Sequence, residues 1–262
     1  ICKEKTQKYF DDIVDWVEEK YPYWNQNGGN DHVFVFSWDQ GSEILGHNSP
    51  TQHRIQSCIH LVHHGKRVAD DSNYISQKDV IIPVYRDYFA LDRLSGKHME
   101  RKIFAYFRGT IENSEHIYGH GVRRFIKYLG QTKPTKYFVK EGHNEFYWNE
   151  ISRSTFTLCP PGWSLWSPRL YDAILAGSIP IIFGDDWVLP FEGLIDYEKI
   201  LVRIDKSEIK SLDDILSKKD DVDIELKRLN IRAVASKLRY HDHHVESGPI
   251  DLMLKEILEK HA

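Results

Sequence analysis

The residues best suited to chemistry are gathered between Thr155 and Asp186. An apolar run at 156–159 is broken by Pro160, Pro161 and Gly162. Ser167 then stands where a helix N-cap belongs and Pro168 where the first helical residue belongs. Gly177 closes that helix at a C-cap position, and residues 179–183 read as the next strand. A strand, loop, helix and strand in this order aim the helix N-terminus out of the carboxyl end of a sheet. Free amides and the helix dipole make that point an anion site. Arg169 adds a full positive charge in the first turn. Asp172, three residues on, shares its helical face, where a carboxylate can hold ribose hydroxyls. Phosphate followed by sugar along one face suits a nucleotide diphosphate. The plainer alternative is an ordinary βαβ unit whose Arg169 and Asp172 form a surface pair.

A second basic turn points the same way. After the apolar run 103–107 come Arg108-Gly109-Thr110, and then Tyr118-Gly119-His120-Gly121-Val122-Arg123-Arg124. This Gly-rich entry to a helix is not a dinucleotide fingerprint, because Arg124 occupies the place of the third glycine. Its arginines suit neutralisation of phosphate instead.

Elements must position these groups. Apolar runs at 32–36, 59–62, 80–84, 103–107, 137–139, 156–159, 179–183 and 200–204 read as buried strands. Helical patterns at 5–20, 120–129, 168–176, 223–239 and 250–260 lie between or beside them. Alternation of this kind predicts an α/β chain with mostly parallel sheets. The polar stretch 91–102 divides two α/β lobes, an acceptor-side lobe over 1–95 and a nucleotide-sugar lobe over 96–244. A C-terminal helix within 245–262 is expected to pack back on the first.

Bulk properties narrow the function. The chain has 262 residues and a net charge of -4, which argues against a general nucleic-acid binder. Cys2, Cys58 and Cys159 are too few for a disulfide framework, and Cys159 reads as buried and inert. No run of about 18 apolar residues occurs, so no membrane segment is expected. Ile1 in place of Met reads as a processed or trimmed start. His60, His63 and His64 sit on a strand pattern without a third acidic ligand, and the 241–244 His cluster reads as solvated. Asp221-Val222-Asp223 lies in a Lys- and Asp-rich stretch and reads as a solvated loop. No metal site is expected from any of them.

Taken together, several segments resemble the exostosin family of glycosyltransferases. They are Gly29 to Gly41 with its Val-Phe-Val-Phe-Ser-Trp-Asp core, Asp79-Val-Ile-Ile-Pro83, Phe107-Arg-Gly109, Val122-Arg-Arg124 and, above all, Ser154 to Phe191. They run in family order from about residue 29 to about 205. The resemblance implies two Rossmann-like lobes of the GT-B type with the donor site in the cleft between them. It also implies inverting transfer, from a UDP-sugar, to a hydroxyl of an oligosaccharide or glycoprotein. Two departures stand out: the chain is short for a two-lobed transferase, and Asp172 replaces the more usual Glu. The compact length resembles the exostosin-like xylosyltransferases of large algal viruses, which makes xylose the expected donor sugar. A soluble protein is expected, cytoplasmic if viral and in the Golgi lumen if an anchor was trimmed.

Inverting transfer needs a base, in-line geometry and stabilisation of the leaving diphosphate. Arg108, Arg123 and Arg169, with loop amides near Gly109 and Gly162, are the expected diphosphate ligands, with no metal and no cofactor beyond the co-substrate. Arg124, Pro161, Trp163, Ser167, Asp172, Asp185 and Asp186 complete the donor side. Asp39 follows the first strand at its carboxyl end and is the expected base; Asp31, His32 and Glu112 are alternatives. His32, Trp38 and Gly41 are the expected acceptor contacts. Trp38, Tyr147, Trp163 and Trp166 offer flat faces for base or sugar rings. The same fold could serve a galactose, arabinose or glucuronate donor, or persist as a carbohydrate-binding or partner-stabilising module without turnover. The missing glycine fingerprint disfavours a nicotinamide oxidoreductase.

Overall fold

Runs of β-branched and aromatic residues set the strands, and longer amphipathic stretches set the helices between them. The computed structural model describes residues 3–46, 48–67, 74–94, 99–111 and 118–261. The α-helices are α1 (Lys3–Lys20), α2 (Tyr23–Asn27), α3 (Pro50–Ile55), α4 (Phe89–Asp92), α5 (Val122–Thr132), α6 (Tyr147–Ser152), α7 (Pro168–Leu175), α8 (Leu212–Ser217), α9 (Asp221–Val234) and α10 (Pro249–His261). The strands are β1 (Val33–Phe36), β2 (Ile59–Val62), β3 (Val80–Ile81), β4 (Ile103–Arg108), β5 (Tyr137–Lys140), β6 (Ser154–Cys159), β7 (Ile179–Phe183) and β8 (Val202–Ile204).

By contacts the chain forms two units. The first comprises Ile1–Ile82, Trp187–Phe191 and Ile250–Ala262; the second comprises Pro83–Asp186 and Glu192–Pro249. The division thus falls at Ile82, earlier than the polar stretch 91–102. The reason is packing: Tyr88 and Leu91 are buried in one cluster with Tyr106, Ile151 and Ala173 of the second unit.

The first unit carries a parallel sheet of order β1-β2-β3, with Val33 opposite Ile59 and Leu61 opposite Val80. Val14 of α1, Trp24, Phe36, Ile55 and Val62 form its core. Buried Asp79 accepts hydrogen bonds from the backbone of His60 at 2.9 Å and of Ile75 at 2.8 Å, tying β2 to the turn before β3. From α10, Lys260 Nζ donates to the Asp79 carbonyl at 2.5 Å. The expected strand 80–84 is cut to Val80–Ile81, because Pro83 has no amide hydrogen for a ladder.

The second unit holds five parallel strands in the order β5-β4-β6-β7-β8. The α/β class and the pair of Rossmann-like units expected from the sequence are both present. Helices α2, α3, α4, α6 and α8 lie outside the periodic stretches read from the sequence; each spans six residues or fewer, too short for a helical period to show. Asp221-Val222-Asp223, expected as a solvated loop, instead opens α9. The Asp220 carboxylate caps this helix by accepting from the Asp223 amide at 2.8 Å.

Helix α5 crosses its sheet at Gly130, where an added Cβ would lie 2.6 Å from Cβ of Val139 on β5. Gly in a helix interior ordinarily costs about 1 kcal/mol relative to Ala, so a free site would gain from Gly130→Ala. Here overpacking should win, and Gly130→Ala should lower stability by about 1–3 kcal/mol. Val139→Ala in the same chain removes only the Cγ contacts and keeps the opposing Cβ, so it should restore little of the loss. A urea titration in which Gly130→Ala alone raises the midpoint would discard this packing argument.

Candidate functional site

The sequence of strand insertion creates the site. The chain runs from β4 to its neighbour β5, then crosses back to place β6 on the other side of β4. Strand order reverses there, and in open α/β sheets such a switch point opens a crevice beyond the carboxyl ends of the strands. Arg108 and Gly109 leave the end of β4, and the Pro160–Ser167 loop leaves the end of β6. That loop feeds directly into α7, where Ser167 occupies the extended N-cap position and Pro168 the first helical position. The Ser167 hydroxyl makes no capping bond, so it does not close off the helix amides. At the far end of α7, Ser178 N bonds the Ala173 carbonyl at 2.9 Å and Gly177 N bonds Ile174 at 3.0 Å. This paired closure, with Gly177 left-handed, fixes the helix length.

A pocket of about 210 Å³ lies at this switch point, with Arg86, Gly109, Tyr118, Arg123, Arg169 and Asp172 in its walls. Arg169 is its central group. One terminal nitrogen, Nη2, donates to the Arg108 carbonyl at 2.7 Å, and the guanidinium stacks 4.6 Å over the Phe107 ring. Its Nε and Nη1 are buried without a partner among the described residues. Gly109 makes this placement feasible, because an added Cβ would stand 2.7 Å from Arg169 Nη2. Two buried donors on one permanent cation form a strong oxyanion receptor.

The two Gly-rich turns meet across this pocket through Arg123. Its Nε donates to the Pro161 carbonyl at 2.9 Å and its Nη1 to the Thr110 carbonyl at 2.6 Å. Gly119 N adds a bond to the Gly162 carbonyl at 3.0 Å. The Arg123 guanidinium also lies 4.4 Å over Tyr118, whose ring meets Trp163 edge-on. Burial draws the Arg123 pKa down to about 10. Arg123 therefore braces both loops as well as lining the pocket.

Arg108 departs from the expected role. Its guanidinium forks onto Glu150 of α6 through two bonds of 2.7 Å, and Tyr106 OH donates to the same carboxylate at 3.0 Å. Burial pushes the Glu150 carboxyl up, but the Arg108 fork and Tyr106 outweigh it and hold the group below its ordinary value. With its fork engaged, Arg108 serves the pocket through its carbonyl, which holds Arg169. Asp172 also differs from a ribose ligand reaching outward. It has no exposed surface, and its Oδ2 accepts from Arg86 Nη1 at 2.7 Å and Tyr147 OH at 2.6 Å. Burial raises its carboxyl to about 6 against the opposing pull of Arg86, Tyr147 and Arg169.

Other expected donor residues are spread more widely. Arg124 points to solvent on α5, and Asp185 is exposed in the turn after β7. Asp186 lies 3.9 Å from Lys206. These three are absent from the walls of the Arg169 pocket. In the first unit, Asp39 and half-exposed Trp38 follow the carboxyl end of β1, with left-handed Gly41 just beyond. Burial raises the Asp39 carboxyl pKa. His32 stands before β1 and Trp38 beyond it, so the strand lies between them. The His32 ring bonds Asp31 at 2.8 Å and packs against Trp24, so it does not join the other expected acceptor contacts. Glu112 lies outside the described residues.

Arg86 and Glu150 were not legible as site residues. Arg86 is a lone arginine in the irregular stretch before α4, and Glu150 sits in a helix too short to show a period. The other expected inert groups behave structurally: Cys58 and Cys159 are free and buried, with thiols pushed up to about 11 and about 12 by burial. His60 contacts the Ile55 carbonyl at 2.9 Å in the first-unit core. No helix among the described residues is long and apolar enough to cross a membrane.

Comparison with known proteins places this geometry in context. A probable glucuronosyltransferase of Oryza sativa subsp. japonica is 32% identical over 219 residues, covering 78% of this chain and 50% of that protein. The probable beta-1,4-xylosyltransferase IRX10L of Arabidopsis thaliana is 29% identical over 223 residues, covering 81% of this chain and 53% of its own. The chain therefore spans about half the length of the curated relatives it matches. Among solved structures, the Anabaena HepE protein in complex with UDP and glucose superposes with a TM-score of 0.47 at 11% identity, over 87% of this chain and 70% of that one. The Exostosin GT47 domain matches residues 2–219, most of the sequence and all of the pocket just described, and the chain belongs to that family.

Proposed function

We propose that this chain transfers a sugar from a UDP-sugar to a glycan hydroxyl, with inversion and without a metal ion. The observation that carries the reading is Arg169, held at the switch point with two buried, unpartnered donors. The pocket around it has room for a diphosphate rather than a whole nucleotide sugar, since complete ligand sites run to roughly 300–1,000 Å³. Arg169 and the first-turn amides of α7 take the diphosphate oxygens and stabilise the charge that grows as the sugar leaves. Asp172 acts as a positioning residue that fixes Arg86 and Tyr147 around them. Asp39 is the proposed base, supported by its place beyond β1 and by the burial that lifts its proton affinity. Xylose is the proposed donor sugar. Glucuronate is the first competitor to test, because the relatives' names divide between glucuronosyl and xylosyl transfer.

Thermal melting against UDP, GDP, CMP and UDP-sugars tests the donor assignment. UDP at about a hundred times its Kd should stabilise the fold by roughly 2.7 kcal/mol, and EDTA should leave that shift intact. Arg169→Ala should weaken UDP binding by about 1.5–3 kcal/mol, the worth of hydrogen bonds to a charged group. No shift with any nucleotide would favour the non-catalytic module, and revival of an EDTA-treated chain only by Mn²⁺ or Mg²⁺ would remove the metal-free mechanism.

For the base, Asp39→Asn should cut transfer by about 10²–10⁴-fold while UDP still binds. Turnover close to that of the unmodified chain would discard Asp39.

The buried acid of α7 predicts a pH dependence of stability. The Asp172 carboxyl ionises near 3.8 when unfolded and near about 6 when folded. The folded state thus holds its proton longer, so its contribution is complete below pH 4 and declines as pH rises through 6. Relative to Asp172→Asn, the unmodified chain should lose about 3 kcal/mol between pH 4 and pH 7. Denaturant titrations in which that difference stays flat, or grows with pH, would contradict the environment described for Asp172.

A further inference from the structure

A second cavity of the second unit lies at the opposite end of its sheet from the Arg169 pocket. It measures about 600 Å³ and shares no lining residue with that pocket. Arg101 stands at its floor, just before β4, donating to the Ser154 carbonyl at 2.5 Å and to the Ala176 carbonyl at 2.8 Å. These carbonyls mark the amino end of β6 and the carboxyl end of α7, so the cavity opens at the amino edge of the sheet. Arg228 and Arg232 enter from α9, and Arg239 from the segment that follows it.

The polar groups here are incompletely satisfied. Among the described residues, Nε of Arg101, Arg228 and Arg239 is buried without a partner, and so is Oγ of Ser152, a side chain with 5% exposure. The charges are also unbalanced. Arg228 and Arg232 share the single carboxylate of Glu225, Arg239 forks onto Asp92, and Arg101 bonds only carbonyls. Four guanidinium groups face the carboxylates of Glu225 and Asp92, with Asp242 also acting on Arg239, so positive charge remains in excess. A tetrahedral oxyanion can accept from several forks at once. Leu91 and Leu175 supply an apolar wall beside the charged one.

We propose that this cavity is a second ligand site, for a small molecule that carries a phosphate group on a partly apolar skeleton. Several guanidinium forks converging on one cavity favour a tetrahedral phosphate over a single planar carboxylate, and the separate location leaves the site free while a donor occupies the switch point.

Calorimetric titration with inorganic pyrophosphate tests the assignment in the full chain. Arg169→Ala, which disables the switch-point pocket, should still bind pyrophosphate. Adding Arg228→Ala and Arg232→Ala to it should weaken that binding at least tenfold. The Arg228→Ala, Arg232→Ala pair alone should leave UDP affinity within twofold. Arg232→Glu, at a side chain 54% exposed, provides a second variant should the pair disturb folding, and it too should weaken pyrophosphate at least tenfold. Glucuronate serves as the carboxylate control and should bind far more weakly than pyrophosphate. The proposal is overturned if Arg169→Ala by itself abolishes pyrophosphate binding, if the cavity variants leave it unchanged, or if glucuronate binds as well as pyrophosphate.

Discussion

Everything at the switch point depends on keeping one guanidinium half satisfied. Arg169 is anchored by a carbonyl and an aromatic face, while two of its donors stay buried with no protein acceptor. Leaving a buried donor unmade costs about 1–3 kcal/mol, and more for a charged group. A fold tolerates that only if its surroundings prevent relaxation. Phe107 below, Gly109 beside and the Arg108 carbonyl behind leave the guanidinium little freedom to swing toward another partner. The stored deficit is what an anionic ligand recovers on binding.

The neighbouring charges are arranged to protect this state. Glu150 is engaged by Arg108 and Tyr106. Asp172 is turned toward Arg86 and Tyr147. Each acid is thus committed to a group other than Arg169. Arg123 performs the complementary task for the backbone by fastening the loop after β4 to the loop after β6. Because the two loops end on adjacent parallel strands, sheet register and loop bracing set the pocket dimensions together.

Much of this arrangement can be read from the chain. Strands β4 and β7 are near-continuous apolar runs, as strands buried on both faces of a parallel sheet tend to be. Ser167, Pro168 and Gly177 punctuate α7 at positions fixed by local backbone chemistry, so the helix and its exposed N-terminus were legible, as was Arg169. What stays hidden depends on side-chain direction. Nothing in the residues around Arg108 says that its fork turns to Glu150, more than 40 positions away. The role of Arg86 is equally non-local, since its partner Asp172 is 86 positions distant. The His32 misplacement has a simpler origin: a motif contiguous in sequence spans a whole strand and so reaches both of its ends.

Asp172 shows why a shorter acid can suit this site. Its carboxylate has no exposed surface and is closed in by α6, α7 and the segment bearing Arg86. A glutamate there would carry one more methylene into a packed interior, which ordinarily forces displaced rotamers and costs about 1–3 kcal/mol. The extra length would reach outward only if the helix or its neighbours moved. With Asp, Oδ2 stays on Arg86 and Tyr147, while Oδ1 remains buried without a partner and accounts for much of the raised proton affinity. The acid therefore works by orienting a cation and a phenol at the pocket wall. Recognition of the ligand then falls on Arg169 and the loop amides.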